Sequence, residues 1–154
     1  MKYFLITLTF ILFFSGCSYQ NAFSKFDMTV EEELIAANTQ SSKIESKEKI
    51  EGVFTAIYLN NVYKESFKEG ENFLIAVYMK NSEINYNFKL NELTPLKVEK
   101  IQKLEEFSEF TALMKTKERW NKYYLVSFEE QETNLRLSIE KESSFSAELL
   151  YLKD

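Results

Sequence analysis

Positions 84–91 alternate apolar and polar without a break: Ile84-Asn85-Tyr86-Asn87-Phe88-Lys89-Leu90-Asn91. Wound into a helix, the apolar side chains would scatter around the cylinder; laid out as a strand, they share one face. Leu135-Arg136-Leu137-Ser138-Ile139-Glu140 repeats the alternation. Both segments are predicted to be half-buried strands. Three runs are more continuously apolar: Val53-Phe54-Thr55-Ala56-Ile57-Tyr58-Leu59, Phe73-Leu74-Ile75-Ala76-Val77-Tyr78-Met79 and Tyr123-Tyr124-Leu125-Val126-Ser127-Phe128. Such runs suit strands covered on both faces. Leu96-Lys97-Val98, Ala147-Glu148-Leu149-Leu150-Tyr151-Leu152 and a first strand over 39–45 complete the set.

Turn chemistry separates the runs at Asn60-Asn61, Glu69-Gly70-Glu71-Asn72, Lys80-Asn81-Ser82 and Thr94-Pro95. Asn tolerates positive φ and can stand in for glycine, of which the chain has three. Seven to eight short strands with this punctuation predict an all-β fold, an antiparallel two-sheet β-sandwich. One segment departs from period two. Ile101, Leu104, Phe107, Phe110, Leu113 and Met114 recur at helical spacing, which predicts a short amphipathic helical insertion over 100–115. It would either pack over one end of the sandwich or present its apolar stripe to a partner. Residues 29–37 can start a short helix, with Thr29 as cap and acidic residues in the first turn, or can be linker.

The N-terminal segment follows another pattern. Lys2 precedes an uncharged, largely apolar run over 3–14, the build of a secretory signal and too short to span a bilayer of about 30 Å. Ser15-Gly16-Cys17 follows, small residues before a cysteine. Phe14-Ser15-Gly16-Cys17 resembles the lipobox of bacterial lipoproteins, with Phe14 standing where Leu is usual. The resemblance implies cleavage between Gly16 and Cys17, diacylglycerol on the Cys17 thiol and acylation of the new amine. Several acyl chains, at about 0.8 kcal/mol per methylene, hold a protein at a membrane as one chain cannot. The alternative is an ordinary secretory signal that happens to end near a cysteine. Against it, Cys17 is the only cysteine and has no partner for an intramolecular disulfide. The expected organisation is a signal peptide over 1–16, a lipidated N-terminus and tether over 17–38, and a β-sandwich domain over 39–154.

The body of the chain is similar to small lipoproteins of epsilon-class proteobacteria. The phrases that carry the likeness are Tyr58-Leu59-Asn60-Asn61-Val62-Tyr63, Asn72-Phe73-Leu74-Ile75-Ala76-Val77-Tyr78 and Trp120-Asn121-Lys122-Tyr123-Tyr124-Leu125-Val126-Ser127-Phe128. The resemblance covers most of residues 50–152 and implies an immunoglobulin-like β-sandwich. It brings no functional residues with it, because the matching phrases are strand patterns. The cysteine pair of antibody domains is absent, so the likeness to immunoglobulins is architectural.

Charge and composition narrow the function. The net charge is −5, and loss of Lys2 with the signal makes the remainder more acidic. With no basic stripe to offset it, such a chain repels phosphate backbones, so nucleic acid is not an expected partner. The chain has no histidine. That removes the commonest general base and the usual imidazole ligand, and with them His-dependent triads and ordinary zinc sites. Gly52 and Gly70 stand alone, so no glycine-rich phosphate loop is present. Paired carboxylates remain, Glu129-Glu130 with Glu132, or Glu105-Glu106 with Glu109; their bland reading is solvated surface. They also lack the spacing of an EF-hand calcium loop.

Tyr58, Tyr63, Phe67, Trp120, Tyr123 and Tyr124 lie near strand ends, where rings can bind a protein or glycan but more often fill a core. Tyr123 or Tyr124 could also form a tyrosine corner. No catalytic residue, metal ligand or cofactor is expected. The expected function is a non-catalytic binding or adhesion module, lipid-anchored in the cell envelope, with a protein or glycan partner. Ser18 is compatible with delivery to the outer membrane. The alternative is a periplasm-facing structural or assembly accessory of a larger envelope complex; a small enzyme or ligand carrier is the third possibility.

Overall fold

The computed structural model describes residues 28–47, 49–81, 86–101, 120–141 and 145–153, with backbone alone at 141 and 145. The signal segment, Cys17 and the first part of the tether lie outside these residues. So does the expected helical insertion beyond its first positions, and Lys100 and Ile101 end a strand instead. Residues 31–154 form one compact unit.

The elements run α1 (Val30–Ala37), β1 (Thr39–Ser46), β2 (Lys49–Tyr58), α2 (Leu59–Val62), β3 (Glu71–Met79), β4 (Asn87–Leu90), β5 (Lys97–Ile101), β6 (Lys122–Phe128), β7 (Leu135–Lys141) and β8 (Phe145–Tyr151). Among the described residues the fold is all-β with two short helices. Residues 30–37 are helix rather than linker, and Ile35 buries its side chain, so the folded unit begins before residue 39. The Asn60-Asn61 turn is a single helical turn. Positive φ falls at Asn91, which the alternating run placed at the end of a strand, and at Lys47 and Glu92, rather than at the asparagines of the expected turns.

All eight strands are hydrogen-bonded into one antiparallel sheet, in the order β4-β7-β8-β1-β2-β3-β6-β5. Its two parts meet at a narrow seam. Between β1 and β8 the backbone register holds a single pair, Glu45↔Ser146. Farther along, the Gln40 side chain joins the two strands: its amide donates to the Leu150 carbonyl and accepts from the Leu150 N–H. The β1–β2 register shifts at the same place, between Ile44 and Glu45, opposite Gly52. A bulge bends a strand and increases its twist. Gly52 permits the bend because a Cβ there would lie 2.1 Å from the Tyr78 carbonyl oxygen of β3. The sheet therefore curls, and the β4-β7-β8 part comes to face the β2-β3-β6 part.

The core fills the space between them. Alternate residues of each strand point inward, among them Phe54 and Tyr58 from β2, Phe73 and Ile75 from β3, Val126 and Phe128 from β6. From the other part come Phe88 and Leu90 of β4, Leu137 and Ile139 of β7, Leu149 and Tyr151 of β8. Ile57, Leu74, Ala76, Ile101 and Tyr123 point the opposite way and are covered by Ile35 of α1 and Leu59 of α2. That second layer explains why β3 reads as a continuous apolar run: all but one of its residues are buried.

Candidate functional site

The curl stops short of closing. Among the described residues β4 pairs only with β7 and β5 only with β6, so these two strands form the ends of the sheet. The registers Val98↔Val126 and Lys100↔Tyr124 put Val98 and Lys100 on the core face, beside a buried valine and a half-buried tyrosine. Four-residue β4 does not cover them. Val98 stays 48% exposed, and a cavity of about 410 Å³ opens there, a size that suits a small ligand.

Its floor is aromatic. Tyr86, Phe88 and Tyr124 pack edge to face, with Phe88 and Tyr124 centroids 5.3 Å apart. The Tyr86 and Tyr124 hydroxyls form a 2.8 Å hydrogen bond across the two parts of the sheet. Burial first, and that bond second, push the Tyr86 phenol far above its ordinary value, so it stays protonated. Lys122 holds its ammonium 5.9 Å from the Tyr86 ring centroid, within cation–π range. Lys100, Asn87, Thr94 and Pro95 complete the walls.

A second network lies toward the other end of β6. Glu71 opens β3 and is 1% exposed. Its Oε2 accepts from the buried Tyr58 hydroxyl. Oε1 accepts from the Gln131 backbone N–H at 2.9 Å and from Lys153 Nζ at 2.6 Å. Burial alone would push the Glu71 carboxyl up, but Lys153, Tyr58 and Gln131 outweigh it and hold it below its ordinary value. Burial and the adjoining carboxylate raise Tyr58 in turn. A carboxylate with three satisfied donors is a structural clamp: it ties the start of β3 to the β6–β7 connection and to the chain after β8. Gly70, just before it, holds φ +65, and a Cβ there would lie 2.4 Å from the Phe128 carbonyl oxygen.

The sequence candidates scatter. Glu129, Glu130 and Glu132 are exposed in the β6–β7 connection; Glu130 reaches Lys153 only at 4.0 Å, and Glu105, Glu106 and Glu109 lie outside the described residues. Among the described residues, no group of three or more His, Cys, Asp or Glu could hold a metal ion, and no helix is long and apolar enough to cross a membrane. Tyr58 and Tyr123 are core, Tyr63, Phe67 and Tyr124 half-buried, and Trp120 is 69% exposed. Tyr63 donates to Glu31 of α1 at 2.8 Å. The hydroxyl bond of Tyr124 goes to Tyr86 rather than to a backbone carbonyl. Tyr151 makes the buried tyrosine-to-backbone bond instead, donating to the Ala56 carbonyl at 2.6 Å and tying β8 to β2.

Sequence reading singled out neither Lys100 and Lys122 as a pair nor Glu71 with Lys153. The first was legible: Lys122 stands two residues before Tyr124 and four before buried Val126, at a position of core-face parity. The second was not, because Glu71 sits in a segment that reads as turn. Comparison with protein-family models, with curated proteins and with solved structures found no match.

Proposed function

We propose that this chain is a bacterial envelope lipoprotein, held at the outer membrane by acyl chains on Cys17, whose β-rich unit is a non-catalytic binding or adhesion module. One observation carries the anchor: Lys2, the apolar run over 3–14 and the small residues Ser15 and Gly16 lead directly to the only cysteine in the chain. The binding role draws support from an exposed Trp120 and from an open groove lined by cations and aromatic rings. In its finer form the fold is an immunoglobulin-like β-sandwich. The two parts of the curled sheet are its facing layers, and the shared core together with the one-pair seam between β1 and β8 supports that reading.

Mass spectrometry of the mature protein tests the anchor. The expected N-terminus is Cys17 bearing diacylglycerol, with palmitate-length chains, and Cys17→Ser should leave the membrane fraction. An unmodified thiol overturns the proposal. Protease shaving of intact cells then separates outward display, where the protein is cut, from a periplasm-facing accessory role, where it is protected. Crosslinked capture with Trp120→Ala and Tyr63→Ala tests the binding role, which fails if neither change alters what is captured.

A further inference from the structure

Resting on the reading of this chain as a binding module, we propose that the seam between β1 and β8 is a docking site for an extended peptide segment of a partner protein, which enters the sheet as an added strand. The parity of the backbone bonds identifies the groups that hold it. The bond from the Tyr58 N–H to the Asn38 carbonyl turns the even-numbered residues of the β1 register toward β2. Ser41, Lys43 and Glu45 therefore direct their backbone groups toward β8. On β8, Leu150 directs its own toward β1, where Gln40 meets them, and Ser146 and Glu148 share that parity.

Three backbone pairs would close the seam in this register, and one forms, Glu45 with Ser146. Leu150 takes the Gln40 side-chain amide in place of the Ser41 backbone. Lys43 and Glu148 do not pair. They are unlike charges opposite one another, yet they form no ion pair among the described residues. An open cleft of about 530 Å³ follows the gap, lined by Ser41, Ser42 and Lys43 and by Ser146, Ala147 and Glu148.

Water is the ordinary partner of backbone groups at an exposed seam. It accounts for Lys43 and Glu148 but not for Gln40. The Gln40 amide gives Leu150 one donor and one acceptor, the same two groups that a neighbouring strand residue would give. Gln40 thus holds the place of a strand. The chemistry of the occupant follows from the walls. Both of its edges must carry backbone N–H and C=O groups, which excludes a glycan. Its inward side chains meet the buried apolar Ile44, Ala147 and Leu149, and its outward ones meet the exposed Lys43 and Glu148. Apolar positions must therefore alternate with polar ones that include an acid and a base. Entry requires β1 and β8 to stand about 9–10 Å apart, twice the strand spacing. Among the described residues, one backbone pair and one side chain are the β1–β8 hydrogen bonds that must give way.

The test is calorimetric titration of the full chain in detergent with a blocked heptapeptide of alternating valine and polar residues, carrying one glutamate and one lysine in either order. At least one order should saturate. N-methylation of alternate amides along either edge of that peptide should weaken it by at least about tenfold, because both edges are bonded. A peptide added at an end of the sheet would tolerate methylation of one edge. Gln40→Ala frees Leu150 and should tighten binding about fivefold. In hydrogen exchange the Lys43 and Glu148 amides should be fast in the free protein and slow by at least about tenfold with peptide, while Ile44 and Leu149 stay slow throughout. Absence of saturation by both orders overturns the proposal, as does tolerance of methylation along one edge, or unchanged exchange at Lys43 and Glu148. A dimer of the chain that protects those amides without peptide also overturns it, because the occupant is then a second copy. If Gln40→Ala loses its thermal transition, exchange in the unaltered protein decides. Any of these failures leaves the lipoprotein reading standing, because membrane anchoring and partner capture are measured separately.

Discussion

At one end of the core the Tyr58 hydroxyl meets Glu71, and Glu71 in turn is met by Lys153 and the Gln131 amide; at the other end the Tyr86 hydroxyl meets, among the described residues, the hydroxyl of Tyr124 alone. The two arrangements bury similar groups with different results. A carboxylate accepts from several donors at once, so the first network is saturated and joins three parts of the chain. Two hydroxyls share one bond, so the second joins two parts of the chain through a single contact among the described residues. Cations behave in parallel. Lys153 is drawn inward to a partner, while Lys100 stands on an uncovered core face because β4 is too short to meet it. The comparison separates a saturated polar network from a sparse one at the two ends of one core.

The largest test of that difference is Glu71→Ala. It leaves the Tyr58 hydroxyl and the Gln131 N–H without an acceptor, and Lys153 without its counter-ion. Urea denaturation should show a loss of about 3 kcal/mol, toward the lower end for a broken buried pair because the Lys153 side chain is 26% exposed and can turn to water. Tyr124→Phe, the matching change at the open end, should cost under about 1 kcal/mol.

The pH dependence should follow the same division. Glu71 titrates below its ordinary value when folded, so its contribution is complete above about pH 4.3, the unfolded value, and is lost as pH falls through the lower folded one. Glu71→Gln should flatten the acid limb of stability against pH. On the alkaline side the sign reverses. Burial raises Tyr58, Tyr86 and Tyr151, so they remain protonated in the folded chain, and stability is complete below about pH 10 and falls as pH rises. Absorbance titration should show part of the tyrosine signal appearing only with unfolding.

Smaller effects follow. Tyr151→Phe removes the buried bond to the Ala56 carbonyl and should lower stability by about 1 kcal/mol, read from the denaturation midpoint. Lys100→Gln should change stability by no more than about 0.5 kcal/mol, since the side chain is exposed and makes no ion pair among the described residues. A larger loss there would mean that the lysine holds the fold, and the division between the two ends would fail.

Side-chain parity determined the strands from sequence. Period two over 135–140 and the apolar runs over 73–79 and 123–128 each became a strand, as did 53–58 with Leu59 passing into α2, because a one-residue slip would turn every inward side chain to solvent. Of the alternation at 84–91, positions 84 and 85 lie outside the described residues and β4 takes up 87–90. Turn chemistry was less legible. Gly70 took its left-handed conformation, but Lys47 and Glu92 did so against their own preference, held by the hairpins around them. The anchor proposed at Cys17 rests on the sequence alone and lies outside the described residues.

Three things were decided by tertiary structure. The first is the joining of both halves through Glu45↔Ser146 and the Gln40 side chain, since a contact between residues about a hundred positions apart leaves no local period. The second is the burial of Glu71, a glutamate in a turn-like segment whose partners Lys153, Tyr58 and Gln131 come from distant strand ends. The third is the groove: the lysines at 100 and 122 have the same local chemistry as any surface lysine. Only the curl of the sheet, ending at a β4 too short to cover β5, puts them beside two tyrosines with room for a ligand between.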